Sequence, residues 1–411
     1  MVEDRCIMDY KLSLYVHVPF CVKKCLYCDF LSFSGGEDEI SEYFDAVINE
    51  ILISKNKYSD YNVSSVFIGG GTPSFVASKY ICKILDSIRE NFHVRDDAEI
   101  SIEVNPASAI YDKLKAYRAS GINRLSIGAQ SMNDEELKCI GRAHNLDMFY
   151  GTYENAIRAG FDNINIDVMS ALPDQSLQSY MNTLSKVVEL KPQHISAYSL
   201  IVEEGTPFYD MELNLPDEDI DRQMYHETKS FLSAGGYHRY EISNYALNGR
   251  ECSHNKVYWQ RGNYLGLGLG ASSMVENVRW NNVRDINKYI RLLKEADVHI
   301  SDTDFSYREN MECLSEKDCM EEFMFLGLRL VEGINIANFR RQFHKDIREV
   351  YGDVIEKYIE LGLLEFYQKA NAQSHIDNFS DLNGIDSSQV YLRLTDKGLD
   401  VSNTVMSDFL L

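Results

Sequence analysis

LSLYVHVPFCVKKCLYCDF, residues 12–30, joins a short hydrophobic run to a loop holding three of the chain's nine cysteines. Cys21, Cys25 and Cys28 form a CxxxCxxC pattern just past the run, close enough for three thiolates to converge on one metal centre. A zinc site usually draws on two CxxC pairs or adds histidines. Asp29 or His17 could supply a fourth ligand, so zinc stays open. The other reading is a [4Fe–4S] cluster held by three thiolates, ligands that suit iron–sulfur centres. Such a cluster leaves one iron free to take a small molecule, which makes it chemically competent as well as structural. His17 is placed to orient the cysteine loop.

Five more β-rich runs follow: SSVFI (64–68), AEISIEV (98–104), RLSIG (124–128), NINIDV (163–168) and HISAYSL (194–200). Helix-like segments alternate with them, which is the signature of a parallel sheet with helices outside. Six such units predict an α/β fold, a partial (β/α)6 barrel, with its site at the C-terminal ends of the strands. The rhythm changes near Pro207. A helix is expected over 217–234, another over 285–295, and the glycine-rich RGNYLGLGLGASS (261–273) lies between them. An amphipathic helix inside 316–334 is expected to end near Gly333, and small helices closed by short strands follow it. The organisation is therefore read as a barrel core (1–206), an extension completing that core (207–310) and a C-terminal winged-helix-like α/β domain (311–411). The wing is not basic, so this last domain reads as a cap or docking module.

Composition narrows the function classes. The formal charge of −22 argues against binding nucleic acid through a basic surface. An odd, irregularly spaced set of cysteines points to a reducing compartment, and no secretory pattern opens the chain, so the expected location is cytoplasmic. No stretch approaches about 18 uncharged apolar residues, so no integral membrane segment is expected.

The turn GGGTPS (69–74) is not a Walker loop; its glycines let backbone approach a ligand closely. Near the strand ends stand Glu103, able to accept from an ammonium or a hydroxyl pair, Gln130, Arg142, able to pair with a carboxylate, and Asp167. Any one of them reads equally well as a solvated loop residue. Four around one rim, beside a cysteine loop and a glycine turn, are harder to set aside.

The CxxxCxxC loop, with Tyr27 before its last cysteine, resembles that of the radical S-adenosylmethionine superfamily. There the free iron chelates the amino and carboxylate groups of the cofactor, and the reduced cluster cleaves it to a 5′-deoxyadenosyl radical. LYVHVPFC, GGGTPS, SIEVNP, RLSIGAQS, GRAH and NIDVMSALP are together similar to the oxygen-independent coproporphyrinogen III oxidase group. The resemblance implies cofactor contacts at Tyr15, Tyr27, Gly70, Gly71, Thr72, Glu103, Gln130, Arg142 and Asp167, with Cys21, Cys25 and Cys28 on the cluster. YEISNYA (240–246), ECSHNKVYW (251–259), YLGLGLGASS (264–273), EEFMFLGLRL (321–330) and RLTDKGLDVSNTV (393–405) look like the HemW-type heme chaperones of that group. What this implies is a protein that binds heme and delivers it to heme-requiring acceptors, often respiratory and membrane-associated.

One departure separates chaperone from oxidase: the oxidase carries a further cysteine where this chain has Phe30. The arm before the first strand is also short. Both weigh against oxidative decarboxylation of coproporphyrinogen, while a radical enzyme on another substrate stays open. Ser170, Asp174 and Ser176 stand where chaperones often read tyrosine, glycine and threonine, and Ser272 where histidine is common. Heme iron takes imidazole, thiolate or thioether ligands. His254, flanked by Cys252, Tyr258 and Trp259, is the candidate heme contact, set against the reading of an ordinary hydrogen-bonded histidine, with His144 as a competitor.

Overall fold

The computed structural model describes residues 10–296, 306–369, 371–376, 379 and 385–411. Six strands lie parallel in chain order: β1 (Lys11–Val18), β2 (Asn62–Gly70), β3 (His93–Val104), β4 (Arg124–Gln130), β5 (Ile164–Ser170) and β6 (His194–Ser199). Between them run α1 (Glu37–Tyr58), α2 (Ser78–Asn91), α3 (Tyr111–Ala119), α4 (Asp134–Cys139), α5 (Leu146–Arg158) and α6 (Leu177–Glu189). Beyond β6 come α7 (Glu218–Ala234), β7 (His238–Arg239), β8 (Asn244–Ala246), α8 (Ser253–Trp259), β9 (Tyr264–Leu267), β10 (Ser272–Val275), β11 (Val278–Asn282), α9 (Ile286–Glu295) and β12 (Arg308–Cys313). These widen the sheet on both edges. β9 lies parallel to β1 and continues through antiparallel β10, β11 and β12, while β8 adds antiparallel to β6 and β7 antiparallel to β8. The two edge strands, β7 and β12, do not pair among the described residues, so the barrel stays open.

Side chains alternate along the six strands, as the pleat requires. Leu14, Val16, Val66, Ile68, Ile100, Ile102, Leu125, Ile127, Ile164 and Ile166 are buried in the large hydrophobic core. The alternate positions form laddered rungs on the other face: Ser13, Ser65 and Glu99; then His17, Gly69, Glu103, Ser126, Asn165 and His194. A one-residue slip would turn this polar set outward and strand the apolar one, so the alternation fixes register as well as face. The polar face is tolerable because its members bond one another. Asn165 Nδ2 donates to Ser126 Oγ and to Asp167 Oδ1, both at 2.7 Å, and His194 bridges Asn165 Oδ1 (2.6 Å) and Tyr240 Oη (2.8 Å).

Helix α1 ties the glycine-rich loop after β9 to the end of β1. Glu50, fully buried, accepts from Gly268 N and from Asn282 Nδ2, each at 2.7 Å, and from Tyr289 Oη. Tyr43 Oη donates to His17 O (2.7 Å) and accepts from Leu269 N (3.1 Å). Gly268 has φ +100°, and a Cβ there would meet Tyr43 Oη at 2.5 Å, so both its backbone and its space demand glycine. Burial pushes the Glu50 carboxyl up to about 7. The folded protein thus holds a proton there that the unfolded chain has released, and stability falls as pH rises from about 4.5 to about 7. Glu50→Gln is expected to flatten that fall by up to about 1.4 kcal/mol per pH unit. Thermal melts at pH 5, 6, 7 and 8 measure it, and an unchanged slope would place the proton elsewhere.

The C-terminal part holds α10 (Glu316–Gly327), β13 (Ile334–Asn335), α11 (Ile336–Phe343), α12 (Ile347–Glu360), β14 (Leu364–Gln368), β15 (Asn371–Ile376), β16 (Val390–Leu394), α13 (Asp396–Asp400) and α14 (Ser402–Ser407). Its antiparallel sheet runs β13-β16-β14-β15 over a second core that includes Phe339, Tyr351, Phe366 and Phe409. Helix α10 ends at Gly327, six residues before the expected stop at Gly333. Ile334 packs its Cγ2 where a Gly327 Cβ would be, and Val331 N turns away to Tyr240 O at 3.0 Å. Gly333, at φ +72°, belongs to the turn that follows. A buried ion pair joins this part to the barrel extension: Glu322 accepts from Arg261 Nε (2.9 Å) and Arg279 Nη2 (2.6 Å).

Candidate functional site

The loop after β1 is pinned at its base and along its length by backbone. Cys21 N donates to Phe33 O and Phe33 N to Pro19 O, both at 2.9 Å. Leu26 N reaches Ile140 O (3.2 Å), and Phe208 N reaches back to Leu26 O (3.0 Å). His17 is sequestered in this scaffold: its Nε2 bonds Leu31 O at 2.9 Å and its Nδ1 bonds Tyr15 Oη at 3.1 Å. It holds the loop and has no nitrogen left for a metal.

Around the cysteines the contacts are those of a site with an electropositive flank. Arg142 Nη1 donates to Cys25 Sγ at 3.8 Å, while its Nη2 is fixed by Gly128 O at 2.6 Å. Its Nε is buried with no partner among the described residues, and so are both ring nitrogens of His144. Cys21 Sγ lies 3.3 Å from Thr72 Oγ1, and Thr72 N is tied to Phe20 O at 2.8 Å. Burial pushes the Cys28 thiol up, and the Cys25 charge adds to it. Among the described residues no three His, Cys, Asp or Glu side chains stand close enough to grip a single metal ion.

The glycine turn is shaped by what it lies against. A Cβ on Gly69 would touch the Glu103 carboxyl at 3.0 Å. One on Gly70 (φ +110°) would meet the His17 ring at 2.5 Å, and one on Gly71 would meet two backbone carbonyl oxygens at 2.9 Å. Gly70 N donates to Glu103 Oε2 at 3.1 Å. Glu103 is pushed up to about 8, first by burial and then by the Asp167 charge; Asp167 is itself raised by burial. Gln130 sits at φ +67°, where the β4–β5 register slips, and accepts from Tyr198 Oη at 3.1 Å. A non-glycine residue held left-handed at a strand end is local strain of the kind that collects at ligand sites. Tyr27 is driven far up by burial, with the Arg142 guanidinium the strongest opposing influence.

The structure thus brings Cys21, Cys25, Thr72, Gly70, Glu103, Asp167, Gln130 and Arg142 to one end of the sheet through a continuous set of contacts. His254 lies outside that set. It is 1% exposed, stacked on Phe67 and bonded at both nitrogens: Nδ1 to Ser65 Oγ and Nε2 to Tyr258 Oη, each at 2.9 Å. Ser65 spends its own proton on Ser13 Oγ (2.7 Å), so the histidine donates at Nδ1 and accepts at Nε2. Burial lowers it to about 3. The residues with family departures have local roles. Asp174 adopts φ +59°, a conformation aspartate tolerates better than most; Ser176 caps α6; Ser170 bonds Ser199 at 3.0 Å.

The sequence reading missed the inner face of the barrel: Glu99, Arg124, Ser126, Asn165, His194, Ser196, Tyr198 and Tyr240. The signal is the strict alternation in SIEV, RLSIG and NINIDV, which puts further polar residues on the same face as Glu103 and Asp167. Arg124 is the cation of this face, 2% exposed, and its field reaches Cys252, Glu99, Tyr240 and Asp167.

Residues 15–187 match the Radical SAM superfamily and residues 314–369 the HemN C-terminal domain. The heme chaperone HemW of Bacillus subtilis is 34% identical over 368 residues, covering 88% of this chain and 95% of the relative. That of Lactococcus lactis is 33% identical over 403 residues, 97% of each. Among solved structures, the Escherichia coli coproporphyrinogen III oxidase HemN, a radical SAM enzyme, aligns with a TM-score of 0.79. That match covers 98% of this chain and 92% of its own at 24% identity, a likeness of fold. With the relatives spanning nearly its whole length, the chain belongs to the HemW heme-chaperone family of the radical S-adenosylmethionine superfamily.

Proposed function

We propose that this protein carries heme to acceptor proteins and holds a three-cysteine [4Fe–4S] cluster with S-adenosylmethionine at the rim of its barrel. The observation that carries the reading is Phe30 beside a complete rim. Cysteines, guanidinium, glycine turn and paired carboxylates are all present, while an exposed phenyl group stands where an oxidase thiol would be. The donor set fits the groups assigned to it. Cys21, Cys25 and Cys28 would hold the cluster. Gly70, Gly71, Thr72, Glu103, Gln130, Arg142 and Asp167 would bind the cofactor, with Tyr15 and Tyr27 beside them. The unpartnered Arg142 Nε and His144 nitrogens are buried polar atoms of the kind a ligand satisfies. When reduced, the bound pair can supply a carbon-centred radical.

The chain's own residues do the positioning. Arg142, fixed by Gly128 O, holds its Nη1 3.8 Å from the Cys25 sulfur. Glu103, pushed up to about 8 by burial and the Asp167 charge, can give up its proton when a cation or hydroxyl pair arrives. The acceptors are proposed to be heme-requiring proteins, respiratory and membrane-associated ones included. No helix among the described residues is long and apolar enough to cross a membrane.

The test is anaerobic. Cluster-reconstituted protein receives coproporphyrinogen III, S-adenosylmethionine and a reductant, while a parallel sample receives ferric heme and is desalted. The expected result is a retained, shifted Soret band and no protoporphyrinogen. Porphyrinogen turnover would overturn the chaperone reading and show that the additional cysteine is dispensable.

A further inference from the structure

A cavity of about 390 Å³ opens beside the cysteine loop, within the usual range for small-molecule sites. Its walls are aromatic: Tyr15, Tyr258, Tyr264 and Phe30, the last 63% exposed. An aromatic side chain that exposed, two residues past the third cysteine of the loop, is a stacking face with no ring partner among the described residues. Two groups on the same wall can hold an anion. Arg284 is exposed and has no ion-pair partner among the described residues, and Ser272 accepts from Asn281 Nδ2 at 2.5 Å. With its oxygen already accepting, the Ser272 hydroxyl has its proton free to donate into the cavity. The one acid among the lining residues is Asp29, and burial lowers His17 so that it stays neutral. The wall is rigid as well. Gly268 and Leu269, which lead into it, are clamped by Glu50 and Tyr43.

A flat, aromatic ligand with a flexible carboxylate arm matches this pairing of phenyl face and guanidinium. We propose that the cavity is the heme seat, with one heme propionate anchored by Arg284 and Ser272 and the macrocycle lying against Phe30. This rests on the heme-carrier reading and names the part of the protein that recognises the cargo. Recognition then comes from the carboxylate and the ring face.

The test varies both partners. Full-length wild type, Arg284→Gln and Arg284→Lys are titrated with ferric heme and with ferric heme dimethyl ester, following the Soret band. Wild type is expected to bind the diacid about tenfold more tightly than the ester. Arg284→Gln should lose that preference by weakening the diacid alone, and Arg284→Lys should keep part of it. Equal diacid binding by wild type and Arg284→Gln overturns the anchor while leaving the carrier function intact. So does an equal loss of both ligands, which marks a structural effect. Failure of wild type to bind either ligand overturns the carrier function, and the anchor with it.

Discussion

Replacing Cys25 by alanine is expected to leave a folded protein that cannot hold iron. Bound iron after anaerobic reconstitution should fall from about four atoms per chain to below about one, with loss of the broad visible absorbance of the cluster. The fold should survive because the loop is pinned by groups that do not use the thiol. Cys21 N on Phe33 O, Leu26 N on Ile140 O and Phe208 N on Leu26 O are all backbone contacts. Cys25 is half-buried, and its sulfur lies 3.8 Å from a guanidinium that in turn is held by Gly128 O. A cluster corner lost from a set of three has no fourth thiolate to replace it. The control is Cys313→Ala, an exposed cysteine on β12, which should retain full iron. Iron retained by the Cys25 variant, with unchanged spectrum, would sink the three-cysteine assignment. Because Cys28 is raised by burial, reconstitution in the wild type should also proceed further at pH 8.5 than at pH 7, where fewer thiols have released their proton.

How much of this could be read from the chain follows from the range of the forces involved. The six parallel strands were legible because each is a local run with its own turn signals, and all six lie where they were expected, to within a few residues at each end. The cysteine loop was legible for the same reason. The added strands were not. β7 has two residues and β8 three, and β9 is short and interrupted by Gly266; their pairing with β6 and β1 is a long-range choice that no local pattern announces. The end of α10 was missed because the stop is set by Ile334 packing on Gly327 and by Tyr240, which lies far away in sequence. His254, with aromatic neighbours in sequence, reads either as a ligand or as an ordinary hydrogen-bonded histidine; its bonding partner Ser65 is 189 residues away, a pairing no local pattern announces. Asp174 looked like a loss where glycine is common, yet its backbone keeps the left-handed conformation that glycine would supply.

The polar inner face carries the second large effect. Arg124→Met is expected to destabilise the protein by about 3–5 kcal/mol, because it removes the cation from a buried set of carboxylates. Glu99 is committed to the start of α8, accepting from Ser253 N (2.9 Å) and His254 N (3.2 Å), so it cannot turn away to solvent. Asp167 is held by Asn165 and Ser126, and Glu103 by Gly70 N; the Arg124 charge opposes the upward drift of both. The same guanidinium helps keep His194 and His254 neutral, and their hydrogen-bond roles depend on that neutrality. At about 1–2 °C per kcal/mol for a chain of this length, the loss should lower the melting temperature by roughly 5 °C. Arg124→Lys, which keeps the charge and loses the fork, should recover part of it. The methionine variant melting with the wild type would mean that the neighbouring carboxyls need no counter-charge at neutral pH, as the raised Glu103 already does not. In that case the raised Glu103 and Asp167 would act at the rim as neutral donors, and cofactor affinity would be insensitive to salt. The melt therefore bears on the chemistry of the site as well as on the stability of the barrel beneath it.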